Sequence, residues 1–481
     1  MFQLPWNEIS IIVPLIGALF VSRIRDPNLA CRCCLVFAAA TFGCTFLTWL
    51  GFYIRHSVNV TPRWELMREL FGRQFFTVDN LSAPLVPMVA LLHFLTTLAT
   101  ARTKMGRFRF ASSLASEAIV IATFSANDPW LLIGLLAIGT VPPYLELLHR
   151  AKPTRVYVLH MGLFIALMVT GWAFVEWEGR HAIHSAWATL PLLAAILVRS
   201  GTVPVHCWLT DLFEHSSFGT ALLFVAPLTG VYAAVPLVLP IAPGGVLRSI
   251  GLISLATAVY AAGLAVVQRE ARRLFACLFL SHASLVLVGM ELVTSISLTG
   301  ALCLWFSVAV SLGGFGLSLR ALEARFGRLS LTHFHGLYEH SPTLAVCFLL
   351  TGLASVGFPG TMGFVSAELL VDGAVEANLF LGLAVVVTAA LNGIAVVRAY
   401  FLLFTGTRHA SSVSLQIGLR ERVAVLTLAG LILGGGIFPQ PGVSSRHDGA
   451  EEILDERAAA RHTPKHEVKM EEPEQYLEGG E

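Results

Sequence analysis

Glu117, Arg199 and His282 fall inside long apolar stretches of the sequence, and Glu368 and Asp372 follow the Pro359-Gly360 break at membrane depth, where a charge is costly and is kept for a purpose. An acid in such a place can take up a proton and lose its charge, so each carboxyl group is a candidate station for proton or cation movement. Glu368 and Asp372 are four residues apart, which puts them on one helix face. Two neighbouring acids help a proton to rest there, so Glu368 reads as a proton-loading group with Asp372 leading outward. Glu117 is the one charged residue of its stretch. Arg199 keeps its charge at any ordinary pH. It can hold an anion, pair with a carboxylate or close a gate, and Glu117 is the expected partner. Glu146, His149 and Arg398 lie near the ends of their stretches, where a long side chain reaches the interface, and His160 suits a hydrogen bond between helices.

The rest of the sequence is suited to hold these groups in a bilayer. Of 481 residues, 55% are hydrophobic and 13% charged, against about 25% charged in soluble domains. The apolar residues come in blocks. At roughly 20 residues per crossing they give about fourteen helices, the first near 8–22 and the last near 421–438. Pro204 in the seventh (185–204) and Pro359-Gly360 in the twelfth (343–364) are helix breakers, because proline removes a backbone hydrogen bond. Arg102, Lys104, Arg107 and Arg109 follow the third span, Arg150, Lys152 and Arg155 the fifth, and Arg269, Arg272 and Arg273 the ninth. Loops rich in Arg and Lys stay in the cytoplasm, so both termini are expected on the opposite side of a bacterial-type inner membrane. A net charge of +1 gives no reason to expect nucleic acid. The eight cysteines lack the paired spacing of a zinc or iron–sulfur site, and no metal or cofactor is expected. From 444 to 481 the sequence is polar and acidic and reads as a disordered tail or a single marginal helix.

Five stretches then fall in a recognisable order. Phe76-Thr77-Val78-Asp79-Asn80-Leu81-Ser82 is similar to a VDGLS motif, and Val203-Pro204-Val205-His206-Cys207-Trp208-Leu209-Thr210-Asp211 to FPFHxWLPD. Gln268-Arg269-Glu270-Ala271-Arg272-Arg273-Leu274-Phe275-Ala276 is similar to QxDxKRLxA, with His282 where that motif's later histidine falls. Ala354-Ser355-Val356-Gly357-Phe358-Pro359-Gly360-Thr361 is similar to ASLGLPGT, and Gly436-Ile437-Phe438-Pro439-Gln440-Pro441 to GxxPQP. Up to about Pro441 the chain resembles the proton-antiporter-like family: subunits L, M and N of respiratory complex I, above all subunit M, and the Mrp-type antiporters.

The resemblance implies an all-α membrane protein of about 14 transmembrane helices, with two inverted five-helix repeats broken in spans 7 and 12. Three N-terminal helices (1–110) would precede repeats at 111–240 and 241–410, a last helix (411–443) and the acidic tail (444–481). It also implies a proton- or cation-translocating subunit, without redox chemistry of its own, among other membrane-arm subunits of a complex I-like assembly in a lipid bilayer. The family's channel residues do not all carry over. Its glutamate in span five falls on Ala137, its lysine in span seven on Arg199, its lysine in span eight on Gly230, or on Thr229 with a one-residue gap, and its charged residue in span twelve on Ala367, next to Glu368. The changed set keeps two other readings open: the membrane subunit of an inorganic-carbon uptake complex, and a structural subunit that does not conduct.

Overall fold

The computed structural model describes residues 4–58, 69, 72–179, 183–407 and 416–462. The chain opens with α1 (Trp6–Ser22), α2 (Pro27–Val58) and α3 (Leu85–Leu98). A 3₁₀ turn at Arg102–Arg107 leads to α4 (Phe110–Ser125), α5 (Pro129–Gly139), α6 (Val141–His149) and α7 (Arg155–Glu178). Four short helices follow: α8 (Ala186–Ser200), α9 (Cys207–His215), α10 (Phe218–Val225) and α11 (Thr229–Leu237). Then come α12 (Gly244–Val267), α13 (Ala271–Glu291), α14 (Ser295–Phe326) and α15 (Pro342–Ser355). The last are α16 (Met362–Ala377), α17 (Leu379–Phe404), α18 (Leu419–Ile437) and α19 (Gln440–His462). Among the described residues there is no strand, and eight helical segments are long and apolar enough to cross a membrane, or nine with one bent pair. Five shorter apolar helices, α1, α3, α4, α8 and α15, accompany them.

Local sequence sets the ends. Asp128, Ser185 and Ser217 cap α5, α8 and α10, each accepting a hydrogen bond from a backbone N–H three residues on. Prolines open α5, α6 and α15, where a missing N–H costs nothing. Burial then sorts the helices. α13, α14 and the 218–237 stretch are enclosed almost throughout, whereas most residues of α2, α7 and α17 are half-buried or exposed. The exposed faces carry Leu19, Phe20, Leu159, Leu379 and Phe380, a surface that hydrocarbon solvates and water does not. Small residues let the central helices close up. A Cβ on Gly300 of α14 would lie 2.7 Å from Leu370 N of α16, and one on Gly373 would lie 2.6 Å from Ser297 Cα, so these two backbones touch.

Three interruptions matter for the site. One helix stops at Ser200 and the next starts at Cys207, with Pro204 between; another stops at Ser355 and the next starts at Met362, with Pro359-Gly360 between. The third, Ala226–Leu228, has no counterpart in the sequence expectations, although Pro227 accounts for it.

Of the two expectations for the C-terminus, a disordered tail or a single helix, residues 444–462 follow the second. Residues 444–462 belong to α19, which turns 79° from α18 and lies across the end of the bundle. Its anchors are two arginines. Arg446 donates to Leu81 O at 3.0 Å and Asn80 O at 2.7 Å, and Arg457 donates to Leu239 O and, at 2.9 Å, to Ala242 O. Ala450 and Ile453 are buried beneath it. Residues 463–481 lie outside the described part.

Candidate functional site

Arg199 closes the last turn of α8, just before Gly201 takes a left-handed conformation and ends the helix. Its side chain is 6% exposed. Nη2 donates to Phe224 O at 3.1 Å and to Thr229 Oγ1 at 3.0 Å. The reason lies in the Pro227 interruption. Leu228 N–H turns to Val225 O at 2.9 Å instead of continuing the helix, so Phe224 O is left for the guanidinium. The charge also lies over the Phe224 ring, 3.9 Å from its centroid, and 5.6 Å from that of Trp208. The aliphatic stem fills the space beside Gly230, where a Cβ would meet Arg199 Cγ at 2.6 Å. The cavity left between Arg199, Ser200, Gly230 and Phe279 is about 10 Å³. That is near the least volume that holds a single water, so this break does not contain a water file.

Glu117 is not the partner of Arg199, contrary to the sequence expectation. It lies in α4, wholly buried, with neither carboxyl oxygen in a hydrogen bond. The broken 218–237 stretch supplies Arg199 with acceptors at closer quarters. Glu117 is within electrostatic reach of Cys34, whose thiol is 3.8 Å from Thr97 Oγ1. One turn before Thr97 stands His93, 1% exposed, its Nδ1 against Val89 O and its Nε2 without a partner.

His282 lies on α13 and touches the second break. Its Nε2 is 2.8 Å from Ser355 O, the last residue of α15, and its Nδ1 is 2.7 Å from Leu278 O. Two carbonyls thus face the ring, and only the doubly protonated imidazole can donate to both. Beside it Ser281 donates to Ala258 O at 2.9 Å and receives Asn392 Nδ2 at 2.9 Å, while Asn392 Oδ1 is buried without a partner. Polar groups of α12, α13, α15 and α17 therefore meet at one level.

Glu368 and Asp372 are placed otherwise than expected. Both are exposed, on the outer face of α16. Ala367 is the residue that turns inward, its Cβ 2.9 Å from where one on Gly357 would be. One residue rotates a helix by about 100°, enough to carry Glu368 from the break to the outside. The structure thus brings His282 to the second break and Arg199 to the first and third, and leaves Glu117 apart from them.

The residues near span ends hold the frame. Glu146 accepts from Ser217 N at 2.6 Å and from the Thr220 hydroxyl, and pairs with Arg150 at 2.9 Å, so it fastens the start of α10. Arg398 donates to Gln268 O at 3.0 Å and Leu331 O at 3.2 Å. His160 bonds its own helix at Val156 O, 2.8 Å away. Sequence reasoning passed over His93, Asn392 and Glu291. Glu291 ends α13 at 7% exposure, with Oε2 unpartnered and 3.3 Å from a Cβ placed on Gly251. Each carries the signal used for Glu117, a polar residue in or at the edge of an apolar block.

Residues 157–392 match the family model of the NADH:quinone oxidoreductase/Mrp antiporter transmembrane domain. The chain is 25% identical over 501 residues to F(420)H(2) dehydrogenase subunit M of Methanosarcina mazei, covering 94% of this chain and 98% of that protein. It is 25% identical over 522 residues to NADH-quinone oxidoreductase subunit M of Pseudomonas aeruginosa, covering 95% and 96%. A chain of the Mrp complex from a Dietzia species shares the fold at a TM-score of 0.81 and 18% identity, over 95% of this chain and 98% of that one. With five motifs in family order, residues 157–392 matched and the fold shared almost end to end, the chain is similar to the proton-antiporter-like membrane subunits over nearly its whole length.

Proposed function

We propose that this chain is a proton- or cation-translocating subunit in the membrane arm of a complex I-like assembly, with Glu117 as its proton-exchanging group. The observation that carries the proposal is the isolation of that carboxyl. A buried ionised carboxylate needs donors or a cation around it, and Glu117 has neither among the described residues. Such a group is tolerable when its charge comes and goes. His93, His282 and Asn392 supply further buried polar atoms toward the two halves of the fold.

The architecture that supports this reading is fourteen crossings. The first repeat takes in α4 to α11 and the second α12 to α17. The interruptions at Pro204 and at Pro359-Gly360 then occupy the seventh and twelfth crossings. The Arg- and Lys-rich ends stay cytoplasmic, which puts both termini on the other side. Exposed carboxylates at membrane depth are untenable against lipid, so Glu368 and Asp372 take part only where a neighbouring subunit covers them.

Arg199 favours a second reading. A permanent cation, fixed by two hydrogen bonds and leaving about 10 Å³ beside it, closes the first half instead of passing a proton. A subunit shut there could serve as a structural member of the assembly.

Glu117→Gln separates the two. The intact complex would be reconstituted in liposomes with a pH-sensitive dye. Loss of coupled proton movement, about tenfold or more, is expected for a group that transfers protons. Undiminished movement would leave the structural reading as the better account.

A further inference from the structure

A second cavity, of about 290 Å³, opens at the end of the bundle where the basic linkers gather. Four separate stretches build it: the 3₁₀ turn at Arg102–Arg107, the linker after α6, the junction of α9 with α10, and the facing ends of α13 and α14. The charges on its wall fall into two groups. Arg272 is spent: it holds Glu323 at 2.7 Å and donates to Phe213 O and Ser216 O. Arg150 is paired with Glu146, and Arg328 donates to Glu214 O. The carboxylate of Glu214 is taken by Arg273 at 2.6 Å.

The other group has no carboxylate in direct contact among the described residues. The side chains of Lys104, Arg107 and Lys152 make no hydrogen bond and no ion pair with the described residues. Arg320 is fixed without a carboxylate, donating to Thr96 O at 2.6 Å and Thr100 Oγ1 at 2.8 Å, with its guanidinium 4.9 Å from the Phe108 ring centroid. Four cations therefore face one cavity with both of its lining carboxylates already neutralised. An anion placed between them would relieve their mutual repulsion.

The apolar part of the wall says more about that anion. Ala99, Phe108 and Phe218 give the wall an apolar part, the Phe108 ring lying against the Arg320 guanidinium and the Phe218 ring against that of Arg272. A small inorganic ion would leave this surface wet. An amphiphile with a phosphate at one end uses both parts.

We infer that this cavity binds a phosphate group, that of an anionic phospholipid headgroup, between Lys104, Arg107, Lys152 and Arg320. Basic pockets between the cytoplasmic ends of transmembrane helices are suited to such headgroups. The inference stands on the cavity and its charges and does not depend on which ion the chain moves.

The test uses the full chain in detergent, titrated with dioleoylphosphatidylglycerol, dioleoylphosphatidylcholine or sodium phosphate, with bound lipid read by native mass spectrometry. Wild type should retain the phosphatidylglycerol in preference to the phosphatidylcholine. Lys104→Gln with Lys152→Gln should weaken that retention roughly thirtyfold, at about 1 kcal/mol for each basic residue near the surface. Arg102→Gln, outside the cavity, should leave it unchanged. Millimolar sodium phosphate that displaces the lipid, or binds in a manner sensitive to the same double variant, would identify free phosphate as a second source of the same chemistry. Equal retention of both lipids with no response to phosphate would overturn the site, as would a folded double variant that binds like wild type. If the double variant does not fold, the comparison of lipids on wild type still decides.

Discussion

The side chain of Arg199 occupies the space that a side chain on Gly230 would need: a Cβ there would stand 2.6 Å from Arg199 Cγ. By the resemblance, these are the two positions expected for the family's lysines of spans seven and eight, Gly230 being the ungapped match.

Gly230→Ala should therefore lower stability by about 1–3 kcal/mol through overpacking. Arg199→Ala should cost about as much, by leaving Phe224 O bare. The double variant should cost less than the sum, since removing the guanidine stem makes room for the methyl group. Thermal unfolding in detergent reads all three. Strict additivity would mean that the two residues do not compete for this space.

Glu117→Leu should keep stability within about 0.5 kcal/mol of wild type, or raise it, because no hydrogen bond is lost and an isosteric apolar group takes its place. A fall of more than about 2 kcal/mol would reveal a partner for the carboxyl.

Arg457→Ala should loosen α19 by removing the donors to Leu239 O and Ala242 O, at about 1–3 kcal/mol. Hydrogen exchange is the measure. Faster exchange should appear in α19 and around residues 239–242, with the 110–125 helix unaffected. Unchanged protection of α19 would show that its apolar contacts suffice.

Orientation can be checked with a fluorescent protein that matures only in the cytoplasm. Fused after His462 it should stay dark, and fused to a chain cut after Lys152 it should be bright. The reverse pattern would invert the topology proposed above.

Glu368→Leu should leave the isolated chain as stable as before, since the residue is exposed on α16. In the intact complex it should reduce retention of the neighbouring subunit on native gels. A complex that holds together equally well would argue that no partner group meets this carboxylate.

The helix ends were legible wherever proline or glycine marks them, as at Pro204 and Pro359-Gly360, because those residues act through the backbone and need no knowledge of neighbours. Pro227 belonged to the same class and was overlooked inside an otherwise continuous apolar run. The facing of Glu368 turns on a single residue of register, which apolar blocks do not encode. The choice of Phe224 O over Glu117 by Arg199 depends on a carbonyl that exists only once the third break has formed. The C-terminal helix was legible only as a marginal alternative, for a related reason. Its composition is polar, and what holds it are two arginines reaching for loop carbonyls more than two hundred positions away in sequence.

The Pro227 interruption has two side chains bolted to it from opposite directions. Arg199 reaches it from α8 through Phe224 O, and Trp305 Nε1 reaches it from α14, donating to Pro227 O at 3.1 Å. A three-residue joint clamped in this way cannot flex on its own account. If α8 tilts or α14 slides, the same few peptide units must follow, and the pull passes to the other clamp. Mechanical news from one half of the molecule would thus reach the other through a hinge that both halves hold shut.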